Sequence, residues 1–123
     1  MNNPVLRFDE SREYWFEEGC FITELSNGPH DPELSIARAR VSPGGTTRWH
    51  LLEGITERYV VLEGKGRVEL GDGTCADLAP GDVVIIEPGQ AQRIINSADT
   101  ELVFLALCTP RFRPECYRDV EAD

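Results

Sequence analysis

The feature that most narrows the fold of this chain is its punctuation. From Cys20 onward the sequence breaks into short runs rich in β-branched and aromatic residues, each closed by Gly, Pro, Asn or Asp at intervals of about ten residues. The runs are CFITEL (20–25), LSIARARV (34–41), TTRWHL (46–51), ERYVVLEG (57–64), GRVEL (66–70), TCADL (74–78), DVVIIE (82–87), QRIIN (92–96) and ELVFLALC (101–108). Nine strands follow from them, and no long amphipathic helix competes, so the spacing predicts an all-β sandwich or barrel. The turns agree: SPGG at 42–45 and APGD at 79–82 put Pro where φ is preset and Gly where φ can be positive. EGKG at 63–66 and GDG at 71–73 read as tight hairpin links. Val83 to Ile86 carry no polar alternation, the pattern of a strand covered on both faces by a second layer or a partner subunit.

With 123 residues, 41% of them hydrophobic, there is material for one domain and one core. Twelve basic against 22 acidic side chains give a net charge of −10, which repels phosphate backbones and anionic lipid surfaces, so neither nucleic acid nor membrane is expected as a partner. No run approaches the length of a membrane-crossing segment, and MNNPVLRFDESREYW lacks the basic-then-apolar order of a secretory signal, so a cytoplasmic location is expected. Cys20, Cys75, Cys108 and Cys116 are widely spaced with no CxxC pair, which suggests free thiols in place of a disulfide framework or zinc knuckle. Residues 1–19, with Phe8, Tyr14, Trp15 and Phe16 among acids, read as an arm packed on the barrel or on a neighbouring subunit. Residues 20–109 make the barrel. Residues 110–123, interrupted by Pro110 and Pro114, are expected to leave the last strand, cross the surface and fray.

Two blocks stand apart from this background, PGGTTRWHLLEGITERYVVLEGKG at 43–66 and PGDVVIIEPGQAQRIIN at 80–96. They resemble the two motifs of the cupin superfamily, small double-stranded β-helix (jelly-roll) barrels, and the likeness covers nearly all of residues 20–109. In the first motif a Gly is followed after five residues by His-x-His, then Glu, then Gly. Gly44, His50, Glu57 and Gly64 stand in those places, while Leu52 occupies the second histidine position. The second motif, Gly-Asp-x5-Pro-Gly-x2-His-x3-Asn, is matched by Gly81, Asp82, Pro88, Gly89 and Asn96, with Gln92 at its histidine position. The resemblance implies a metal set of three imidazoles and a carboxylate, of which His50, Glu57 and a Gln92 amide oxygen remain. Loss of two imidazoles weakens any site for Mn, Fe, Ni or Zn, so the expectation is a loosely held divalent metal or none.

Strand parity extends the pocket, because side chains two apart share a face. His50 goes with Leu52, Glu57 with Tyr59, and Gln92 with Ile94. Phe104, Ala106 and Cys108 form one face of the last run, and Ala37 and Ala39 one face of the second, with Arg38 and Arg40 turned outward. This face set is the expected ligand-binding wall, with Glu57 as acid, base or ligand and Tyr59 as a wall phenol able to shuttle a proton. The resemblance leaves two functional readings open. One is a small-molecule cupin with isomerase, lyase or dioxygenase-type chemistry, sugar-phosphate isomerase relatives being one suggestion and ectoine synthase a less favoured one for want of the second-motif histidine. The other is a metal-free, non-catalytic binding or sensing module. In either case a homodimer is expected, since the β-rich arm needs cover and cupin-like barrels commonly pair through sheet edges.

Overall fold

The structure, a computed structural model, describes residues 4–122; the outermost residues of the arm and tail expectations, 1–3 and 123, lie outside the described residues. Eleven strands form: β1 (Tyr14–Phe16), β2 (Cys20–Ser26), β3 (Ser35–Val41), β4 (His50–Leu52), β5 (Thr56–Glu63), β6 (Gly66–Leu70), β7 (Cys75–Leu78), β8 (Val83–Ile86), β9 (Gln92–Ile95), β10 (Leu102–Thr109) and β11 (Tyr117–Asp119). Nine coincide with the runs above, although TTRWHL is strand only from His50, Thr46 making an isolated bridge to Ile95. Two antiparallel sheets face each other, β1-β2-β3-β10-β5-β8 and β11-β4-β9-β6-β7, the layered arrangement of a jelly roll. No helix among the described residues is long and apolar enough to cross a membrane.

Long β10 is the spine of the larger sheet. It pairs with β3 on one side and β5 on the other, setting Phe104 opposite Ala39, Ala106 opposite both Ala37 and Tyr59, and Cys108 opposite Glu57. One half of the space between the sheets is filled by Val41, Val61, Val68, Ile86, Ile94, Leu102 and Phe104, all nearly inaccessible to solvent. In the other half the alanines of β3 and β10 replace branched side chains, and the sheets enclose a hollow.

Two expectations fail on this architecture. The segment after residue 109 does not fray: after a cis Thr109–Pro110 bond it makes a short 3-10 turn and returns as β11 beside β4, with Tyr117 opposite Leu52 and Asp119 opposite His50. The run from Val83 to Ile86 is not covered on both faces within the chain. As β8 it is the edge of the larger sheet, with Val83 56% and Ile85 64% exposed.

The motif asparagine has a structural task. Asn96, fully buried, donates through Nδ2 to the carbonyls of Val41 (3.0 Å) and Thr100 (2.9 Å) and accepts from the Ala98 amide at Oδ1 (3.1 Å). It ties the end of β3 to the β9–β10 loop. Replacing it with alanine strands those backbone groups, and Asn96→Ala is expected to lower unfolding free energy by about 3 kcal/mol in urea titration.

Candidate functional site

The hollow has a volume of about 60 Å³ and opens between β1, the turn before β2, and the segment carrying β11. Its floor is Tyr59, Phe104 and Ala106; its sides are Ala37, Ala39, Leu52, Glu57 and Cys108, and His50 sits towards the mouth. These nine expected wall residues all line it. Gln92 and Ile94 do not: they are buried behind the wall, Ile94 within the hydrocarbon core, because β9 lies in the second sheet with Tyr59 between Gln92 and the open space. His50 and Gln92 are nonetheless register partners across β4 and β9, so the groups at 50, 57 and 92 do come together.

Glu57 is the electrostatic centre. It is 9% exposed, its Oε2 accepts a long contact from the Cys108 thiol (3.8 Å), and its Oε1 has no hydrogen-bond partner. Burial first, and then the negative charge of Glu18, push its carboxyl up to about 7, while His50, the Gln92 amide and Cys108 pull it down by less. Burial and the same carboxylates hold the Tyr59 phenol well above its ordinary value, so it remains protonated and donates to Gln92 Oε1. The Cys108 and Cys20 thiols are likewise raised, by burial first, and are not nucleophiles near neutrality.

Parity could not find Glu18. It lies in the tight turn between β1 and β2, where Oε1 is 3.3 Å from His50 Nε2 and Oε2 accepts from the Cys20 thiol at 3.3 Å. His50 Nδ1 donates to the Arg48 carbonyl at 2.6 Å, and the ring stacks on Tyr117 with centroids 5.3 Å apart. The imidazole is therefore fixed in position, with Nε2 directed at the carboxylate. Tyr14, Phe16, Phe112 and Tyr117 complete the mouth, Phe16 meeting Tyr117 edge to face at 5.2 Å. Glu24, on the inner face of β2, is the third carboxylate of the lining; burial raises it, while hydrogen bonds from Tyr14 and Asn27 lower it. The only sequence sign of the Glu18 wall was an acid beside Gly19, and three-residue strands are too short for a period to show.

The donor set does not suit a resident divalent metal. Leu52 contributes hydrocarbon where the family's second imidazole stands, and the Gln92 oxygen already accepts from Tyr59. Among the described residues no group of three His, Cys, Asp or Glu side chains is arranged to hold an ion.

Comparison with known proteins agrees with the architecture. The Cupin domain family matches residues 37–108, more than half of the chain. An oxalate-binding protein of Thermotoga maritima is 33% identical over 78 residues, 63% of this chain and 64% of that protein, so the match spans just under two thirds of the relative's length. An (R)-mandelonitrile lyase of Granulicella tundricola is 27% identical over 76% of this chain and 70% of its own. Among solved structures, Streptomyces Pac13, described as a nucleoside dehydratase and solved with uridine, superposes with a TM-score of 0.78 at 15% identity, over 97% of this chain and 93% of that one.

Glu57 gives the site a pH signature. The unfolded chain releases this proton near 4.5, whereas the folded protein keeps it to about 7. The stability linked to neutral Glu57 is thus complete below the lower value and lost as pH rises through the higher one. Glu57→Gln, neutral throughout, is expected to melt above wild type at about pH 8 and to lose that advantage at about pH 4.5, read as the Tm difference across pH. A difference independent of pH would contradict this assignment. The chain, with this barrel and this family match, belongs to the cupin family.

Proposed function

We propose that the chain is an acid–base catalyst of lyase or isomerase type that binds a small organic molecule in the barrel and works without a resident metal. The observation that carries this reading is Glu57: a buried carboxyl, poised near neutrality, with one oxygen free of partners at the cavity wall. A group half-protonated near neutral pH can take a proton from carbon and return one to a leaving or adjacent atom. His50, held by the Arg48 carbonyl and Glu18, orients the substrate or serves as the second proton carrier. Tyr59 acts chiefly by position, its hydroxyl anchoring Gln92 beneath Glu57. The lyase and dehydratase named among the comparisons support the reaction class, though not a substrate. Dioxygenase chemistry is not carried forward, since the metal it uses would need donors that Leu52 and the engaged Gln92 do not supply.

Proton transfer by Glu57 is read by incubating the protein in D₂O with a panel of carbonyl compounds, cyanohydrins and nucleosides, uncharged and amine-bearing. Deuterium is expected to enter one carbon position of at least one compound, slowed about 100-fold or more in Glu57→Gln. Exchange unaffected by that substitution, or none with any compound, would assign the barrel to binding or sensing without turnover.

The protein also pairs with a second copy through the outer face of the larger sheet, where Leu62, Val83 and Ile85 stand uncovered at the β8 edge. Sedimentation at micromolar concentration is expected to give a dimer, and Ile85→Glu a monomer with an unchanged circular dichroism spectrum; a wild-type monomer would refute the pairing.

A further inference from the structure

Charge is distributed unevenly between the inside and outside of this barrel. The cavity is lined by three carboxylates, Glu18, Glu24 and Glu57, and by no lysine or arginine. His50 is its one basic group, and even as a full cation it leaves an excess of negative charge. The guanidinium that Glu24 feels belongs to Arg12, an exposed residue outside the lining. The other arginines of the neighbouring strands point away from the hollow: Arg40 pairs with Glu13 and Glu101, Arg48 with Asp119, Arg58 with Thr109, and Arg93 with Glu69 while it lies over Trp49.

An anion entering such a cavity would meet like charge at reduced dielectric with no partner able to neutralise it. A cation would meet the opposite. At the bottom it finds Glu57 Oε1, an acceptor on a side chain more than nine-tenths buried that nothing in the protein satisfies. At the entrance it passes Tyr14, Phe16, Phe112 and Tyr117, whose ring faces attract positive charge. We infer that the pocket takes a small organic cation, a substituted ammonium, and rejects small dianions of the oxalate kind. This deepens the acid–base reading, on which it rests for the occupancy of the cavity, by naming the charge class of the substrate.

The test is calorimetric titration of the wild-type protein with choline, ethanolamine, oxalate, and 3,3-dimethylbutan-1-ol, the uncharged carbon isostere of choline. Choline or ethanolamine is expected to bind about tenfold or more tightly than the isostere, and oxalate not at all. Glu18→Gln and Glu24→Gln, checked for folding by circular dichroism, are each expected to narrow the preference for cation over isostere several-fold. Oxalate binding more tightly than both cations, an isostere as tight as choline, or no saturation by either cation below about 50 mM would overturn the inference. Deuterium exchange that depends on Glu57 and occurs with an uncharged compound would then still stand for the acid–base reading, so the two proposals fail separately.

Discussion

A carboxylate enclosed where nothing can neutralise it is the constraint around which this barrel is organised. Putting an unpaired charge into an apolar interior costs several kcal/mol, and the usual remedy is a facing lysine or arginine. Glu57 has neither among the residues lining its cavity. The protein instead lets the group stay neutral over much of the pH range, with Cys108 opposite it, Gln92 locked by Tyr59, and a second acid, Glu18, close enough to discourage ionisation. A group kept at that cost to folding fits a site selected for chemistry better than one selected for stability.

The hollow itself is a matter of side-chain volume. Both halves of the sandwich rest on the same strands, and β3, β5 and β10 run through each. Where they carry Val41, Val61, Leu102 and Phe104 the sheets are packed solid; where they carry Ala37, Ala39, Ala106 and Cys108 they cannot meet. Close packing elsewhere keeps the opening from collapsing, since neighbours already held in good rotamers relax little into empty space. The cross-strand register of β10 with β3 and β5 brings the small residues together at one level.

Much of this was legible from residues alone, and the reason is periodicity. A strand of seven or eight residues such as β3, β5 or β10 shows its faces by alternation, so Ala37, Ala39, Tyr59, Phe104, Ala106 and Cys108 could be assigned to one wall, and the motif spacing singled out His50 and Glu57. Parity states which side of its own sheet a residue faces; it does not state what lies between it and the cavity. That is why Gln92 and Ile94, correctly inward, are behind the wall. It also explains β8: an apolar run means coverage on both faces only if something in the chain lies above it, and nothing in this chain does. Glu18, Phe16 and Tyr117 escaped for a different reason. They sit on a turn and on three-residue strands, whose partners are set by the return of distant chain to β2 and β4.

Those late additions fall outside residues 37–108, the stretch that the cupin family shares. The common barrel supplies a cup and a reactive floor, while the rim, with its acid and its rings, is built from flanking sequence that each lineage is free to rewrite. Likeness across the shared stretch therefore carries architecture from one relative to another far more faithfully than it carries diet. Two barrels with the same interior can come to accept molecules of opposite charge through changes in fewer than a dozen residues at their margins.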